Sequence, residues 1–242
     1  VIDRSYSAAD AILEFVTNEL GIYNSNRLPS QNALLPPFKW AYKNEVTKLS
    51  HIGKATGRKI LHWLIVSSFN GMEYVEQKKT FPSKELLEHM KDEHVPTMIE
   101  KDSVISKGGL YSDVFRDRSY LMMLNIVLFR SGASNWEGEV VTSKNTVVHH
   151  IFPREYLKSR GVTENDLIND FGNLTLLSHS INSEIGDTAP NEYLPRYAAE
   201  YLSSHFIPMG RNLWEVKNYE KFLTNRTKLI WKALDRLVNE TK

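Results

Sequence analysis

The chain has 242 residues, 41% hydrophobic and 24% charged, with 30 Lys and Arg against 29 Asp and Glu, which suits a globular protein of one or two domains. A formal net charge of +1 excludes blanket coating of nucleic acid, so any phosphate contact has to come from a local basic face. The absence of cysteine excludes disulfides, thiolate nucleophiles and Cys-based zinc knuckles and makes a cytoplasmic location the default.

Taken in chain order, Val1-Ile2-Asp3-Arg4 lacks the layout of a secretory signal and has no starting Met, which points to a fragment or processed chain. No run of roughly 18 apolar residues occurs, so no membrane span is expected. Ser7 is the expected cap of a helix over Ala8–Leu20, stopped by Gly21. The proline-rich stretch Asn24–Pro37 is expected to be a loop. Helices are expected over Arg58–Phe69, over Lys84–Lys91 behind Ser83, and over Asp113–Arg130, whose Leu121, Leu124, Val127 and Leu128 mark a central position. The apolar spacing in all of these predicts core packing.

The texture changes at Gly132. The β-branched runs Val140–Thr142 and Thr146–His150, separated by Ser143-Lys144-Asn145, predict a hairpin or a strand with a preceding bend. A short basic helix over Arg154–Arg160 follows, then one begun by Thr163, a strand over Asn173–Leu177 and a short helix over Ser180–Glu184. Pro195 can sit in the first turn of a helix reaching about Ser204. Asn218–Glu240 is a long amphipathic helix. The basic surplus of Arg211–Arg236 is expected on a solvated face. The fold class expected is mainly α, with a β-containing insert: a helical domain over 1–132, the insert over 133–190, and C-terminal helices over 191–242 packing on the rest.

Chemistry concentrates in His149-His150-Ile151-Phe152-Pro153, Gly172-Asn173-Leu174-Thr175-Leu176-Leu177 and Asn182, nine residues after Asn173. Adjacent strand residues point to opposite sides, so one imidazole can bind a metal while the other meets a water. A neutral imidazole accepts a proton near neutral pH. His179 is the alternative to Asn182 as a ligand, and Asn182 could instead cap its helix. His51, His62, His89, His94 and His205 lack a partner at ligand spacing and are expected to be structural or on the surface. Glu184 and Asp187 are expected to be solvated helix-end acids, though either could reach an ion through water. Arg154 is the best-placed phosphate contact, with Lys158 beside it.

These residues resemble the HNH (ββα-metal) nuclease motif. The resemblance implies a metal ligand at His149, the general base at His150, a structural Asn173 that ties the loop to the strand, and the second metal ligand at Asn182. The pattern is then His-Asn-Asn. One imidazole and one amide oxygen are too few for a structural zinc site; they suit a hydrated Mg²⁺ or Mn²⁺.

Together with Gly132–Trp136, Pro190–Leu194, His205–Pro208 and Phe222–Arg226, the motif also resembles the C-terminal half of GmrSD-type restriction-related proteins over residues 110–242. That likeness implies a DNA endonuclease acting in bacterial anti-phage defence. It also implies a ParB-like nucleotide-hydrolysing domain with an Asp-Gly-Gln-Gln-Arg motif, which is absent from this chain. The competing expectations are a catalytically degenerate DNA-binding or regulatory module, and RNA in place of DNA.

Overall fold

The computed structural model describes residues 2–28, 31–65 and 118–241. The expected helix behind Ser83, the ends of those over Arg58–Phe69 and Asp113–Arg130, and His89 and His94 lie outside the described residues.

The larger apolar cluster draws on α1 (Ile2–Leu20), α2 (Leu35–Lys43), α3 (residues 54–65) and α4 (Arg118–Arg130), joined by residues from later in the chain. The buried stripe of α1 runs through Ala8, Ala11, Ile12, Phe15, Val16 and Leu20, the spacing that turns one face of a helix inward. Ser7 is not its cap. Its hydroxyl donates to Asp3 O at 3.0 Å inside the helix, the back-bond open to a helical serine, and the helix begins at Ile2. At Gly21, with φ +64°, a Cβ would fall 2.5 Å from the Phe129 ring, so the chain turns there only as glycine. The expected loop over Asn24–Pro37 ends early. Pro36 and Pro37 occupy the first turn of α2, where a missing N–H costs no helical bond.

Beyond α4 the chain bends through Gly132 and makes a single antiparallel bridge, Ser134 to Val140. Val140–Thr142 is therefore no hairpin partner of the strand that follows. Asn145 Oδ1 accepts from Thr142 N at 2.9 Å, and this side-chain turn ends the extended run. β1 (Val147–His150) pairs instead with β2 (Leu174–Leu177), antiparallel, with His149 opposite Thr175 and His150 opposite Leu174. Between them lie α5 (Arg154–Ser159) and α6 (Asn165–Ile168), the latter starting two residues after Thr163. α7 (His179–Ile185) follows β2 directly, capped by Ser178, whose Oγ accepts from Ile181 N at 3.2 Å.

The C-terminal segment holds α8 (Pro190–Tyr193), α9 (Ala199–Ser204) and α10 (Tyr219–Thr241). Pro195 lies in a separate 3₁₀ turn before α9. A second apolar cluster joins Ile151, Phe152, Leu157 and Leu177 to Tyr193, Leu202 and Phe222. α10 serves both clusters, with Phe222 and Leu223 in this one and Ile230, Leu234 and Leu237 in the first. Over the described residues the chain is mainly α with one two-stranded sheet. Among the described residues no helix is long and apolar enough to cross a membrane.

Candidate active site at the end of strand β1

β1 stops at His150, and a cleft of about 590 Å³ opens around its end, lined by Val148, His149, His150, Pro153, Arg154, Glu155, Asn182, Ser183, Gly186 and Asp187. The two imidazoles leave the strand on opposite sides, as alternation requires, and meet different neighbours.

His149 is 2% exposed. Its Nδ1 lies 2.8 Å from Asn182 Oδ1 on α7, and its Nε2 lies 3.3 Å from the Tyr193 hydroxyl on α8. Tyr193 has one hydroxyl proton and donates it to Ile151 O at 2.8 Å, so toward His149 its oxygen can only accept. Both partners of the ring are thus acceptors, whereas a neutral imidazole carries a single N–H. One ring nitrogen aims a lone pair at an oxygen. Protonating the ring would satisfy both contacts, but burial pushes its pKa down to about 4, against the opposing bond to Asn182.

A cation held by Nδ1 and Oδ1 would remove this conflict and leave Nε2–H for Tyr193. The chemistry of the donor pair, an imidazole nitrogen beside an amide oxygen, fits a divalent cation. Among the described residues no group of three His, Cys, Asp or Glu side chains is placed to hold a metal. An ion here would rest on His149, Asn182 and water.

His150 is half-buried and meets a donor fork. Arg154 Nε donates to its Nε2 at 3.1 Å, Arg154 Nη2 donates to Asn169 Oδ1 at 2.9 Å, and Asn169 Oδ1 itself lies 3.1 Å from Nε2. Burial lowers the His150 pKa to about 4, the bond to Asn169 opposing and the Arg154 charge adding to the fall, so the ring is neutral at physiological pH.

Asn173 is fully buried one layer below. Its Oδ1 accepts from Phe152 N at 2.8 Å, and its Nδ2 donates to Phe152 O at 3.1 Å and Ile168 O at 2.9 Å. It clips the turn after His150 to the start of β2. Lys158 does not line the cleft; it pairs with Glu155 at 2.7 Å on the exposed side of α5. His179 is exposed at the start of α7, and Asn182, one turn on, faces His149 while Ser178 does the capping. Asp187 lines the cleft, and Glu184 does not.

Three residues that serve the site stand outside the sequence-derived set. Asn169 and Tyr193 touch the two imidazoles. Arg226, in the stretch expected to be a solvated face, is fully buried and donates to His205 O, Gly172 O and Leu174 O at 3.2, 2.9 and 2.7 Å. One signal could have found it: it falls between Phe222 and Ile230 on the apolar stripe of α10. Burial lowers its pKa to about 9, which leaves it charged. Beside it, burial pushes Asp170 up to about 7, the bond from Gly172 N and the Arg226 charge opposing. His205 is structural: its Nδ1 lies 2.6 Å from Thr175 Oγ1 and its Nε2 lies 2.6 Å from Ser134 O.

The family model for GmrSD restriction endonucleases, C-terminal domain, matches residues 109–235, just over half of the chain and the whole of the cleft. No curated protein and no solved structure matches.

Proposed function

The chain belongs to the GmrSD restriction endonuclease C-terminal family, and from that premise we propose that it is a metal-dependent, HNH-type endonuclease hydrolysing phosphodiester bonds in DNA. In this reading β1, β2 and α7 form the ββα-metal unit, residues 133–190 do the cutting, and the helices of 1–132 and 191–242 support it. The observation that carries it is the pair of acceptors around His149, Asn182 Oδ1 and the Tyr193 oxygen, between which a neutral ring with a single N–H leaves one lone pair facing an oxygen at the wall of a cleft.

His149 Nδ1 and Asn182 Oδ1 would hold Mg²⁺ or Mn²⁺. When bound, the ion supplies charge neutralisation at the phosphate and at the departing 3′ oxygen. His150, neutral and at the cleft, takes the proton of the attacking water. Asn173 keeps that ring in register by clipping the residues just after it. Arg154 contacts the phosphate of the substrate, and Lys158 adds charge farther out. The wider role is that of the effector half of a cytoplasmic bacterial anti-phage restriction protein, with nucleotide dependence residing in a ParB-like partner domain.

Supercoiled plasmid incubated with the protein and Mg²⁺ or Mn²⁺ is expected to give nicked or linear DNA, and chelation to stop it. Cleavage that persists in excess chelator would remove the metal from this reading. One observation favours a second reading, a catalytically silent DNA-binding module: Arg154 holds the nitrogen that a base would use. Binding without cleavage, weakening steeply with salt, would select it.

A further inference from the structure

We propose that a second cavity, walled by α1, α3 and the end of α4, is a nucleotide-binding site, with the base on its apolar floor and the phosphate on its cationic rim. The cavity has a volume of about 650 Å³ and shares no lining residue with the cleft at the end of β1. Of its lining residues only Arg130 falls inside the stretch that matches the family model. The proposal therefore goes beyond the nuclease reading and does not depend on it.

The floor comes from the apolar stripes of two helices. Phe15 belongs to the buried stripe of α1, and Leu61 lies in the buried half of α3. Gly57, in the first turn of α3, packs on Phe15: a Cβ there would come within 3.1 Å of the ring carbon Cε2. A glycine inside a helix costs stability relative to alanine, and here it lets the two helices close on each other. Leu49, in the 3₁₀ turn Leu49–His51, and Ile52, just after it, complete the apolar surface.

The rim carries three cations, Lys54, Arg58 and Arg130, against one carboxylate, Glu19. This local excess of two positive charges is larger than the +1 of the whole chain. Lys54 and Arg58 stand four residues apart on one helix face, where like charges repel. Both are exposed, and among the described residues neither forms an ion pair. An anion seated between them relieves that repulsion. Arg130 gives Nη1 to Glu19 Oε2 at 2.7 Å, which leaves guanidinium donors over.

Each part of the lining calls for a part of the ligand. Inorganic phosphate leaves the apolar floor wet, and an acyl anion brings no donor for Glu19 and too little charge for three cations. A nucleotide satisfies all of them. Its flat base covers the floor, every base has an N–H donor for the carboxylate, and its phosphate accepts from the guanidinium forks. The volume lies inside the roughly 300–1,000 Å³ of small-ligand sites, which combine apolar walls with a few polar groups. The nucleotide is either free, with a phosphomonoester of nearly two charges, or one unit of a DNA strand with its base turned out of the stack.

The test is calorimetry on the full chain in excess chelator, so that no outcome depends on an ion in the cleft. The probes are the deoxynucleoside 5′-monophosphates, a single-stranded hexanucleotide, inorganic phosphate and octanoate. The monophosphates are expected to bind if the source is free nucleotide, and the hexanucleotide alone if it is a strand. In either case Lys54→Glu with Arg58→Glu is expected to weaken binding at least about tenfold, the worth of one charge-assisted bond. Ile52→Trp, which fills the floor, is expected to weaken it as much. Lys228→Glu with Lys232→Glu, an equal charge change on exposed residues of α10, is expected to leave it unchanged.

Failure of every nucleotide probe to bind overturns the site. Equal weakening by the α10 pair overturns it as well, because bulk charge then accounts for the binding. Inorganic phosphate or octanoate bound as tightly as the nucleotides overturns the ligand class. Should the rim pair lose its helical circular dichroism, Arg58→Gln decides instead, and an affinity it leaves unmoved overturns the cationic rim.

Discussion

His149 and His150 are neighbours on one short strand, both neutral, both held low in pKa by burial, yet their surroundings are opposites. His149 sits between two acceptors, Asn182 Oδ1 and the Tyr193 oxygen. His150 faces a cation, the forked guanidinium of Arg154. An imidazole enclosed by acceptors has a lone pair that only a proton or a metal can satisfy. An imidazole facing a guanidinium already has its counterpart. The division of labour proposed for the two rings thus rests on the donor or acceptor character of the neighbours, not on the histidines themselves.

The largest expected effect separates the two rings directly. His150→Ala is expected to reduce plasmid cleavage by roughly 10²–10⁴, the usual worth of a positioned general base, while leaving Mn²⁺ binding intact by calorimetry. His149→Ala is expected to abolish both. Equal loss of Mn²⁺ binding in the two variants would erase the distinction between them.

Next comes the scaffold beneath both rings. Arg226→Met removes the donors to His205 O, Gly172 O and Leu174 O. At roughly 1–3 kcal/mol for each orphaned buried group, several kcal/mol of stability should go, visible as a lower midpoint in urea. An unchanged midpoint would mean that α10 is not tied to the entry of β2 through this side chain.

Asp170 gives that scaffold a pH dependence. Its folded pKa, about 7, lies above that of the unfolded chain, so the fold retains a proton that the unfolded chain releases. The stabilisation is complete below about pH 4 and is lost as pH rises toward 7, by at most roughly 4 kcal/mol at 1.4 kcal/mol per pKa unit. Asp170→Asn keeps an acceptor for Gly172 N and is expected to flatten the melting temperature across that window. A wild type with no fall between pH 4 and 7 would contradict it.

Smaller still, Tyr193→Phe removes the acceptor that would hold the His149 proton on Nε2 beside a bound ion, and Mn²⁺ affinity is expected to drop about 10–100-fold, as for residues that orient a metal ligand. Smallest is Lys158→Ala. Its exposed pair with Glu155 is worth under about 1 kcal/mol, and melting temperature should barely move; a several-degree drop would place Lys158 in a network beyond that pair.

Much of this site is legible in the chain. Two β-branched residues before His149-His150 predict a strand end, alternation sends the rings apart, and Gly172-Asn173 opens the partner strand. Asn173 in its tying position and Asn182 near His149 are what the resemblance to the HNH motif implies, and both lie there. Of the two expectations for Val140–His150, the strand with a preceding bend is found and the hairpin is not, because Asn145 closes a turn locally and the partner strand lies beyond two helices. Arg226 is missed because charge suggests solvent, whereas its helical position points inward.

What the order of residues determined alone is which chemistry is present and on which side of the strand each ring stands, since strand periodicity is a local property of the backbone. Only tertiary packing decided which groups meet those rings. Asn182 and Tyr193 are 33 and 44 residues from His149, and Asn169 is 19 from His150. No local rule brings them there: the two apolar clusters do, by docking α7, α8 and the turn after α6 against the end of β1, because burying those faces outweighs the entropy of closing the long loops between.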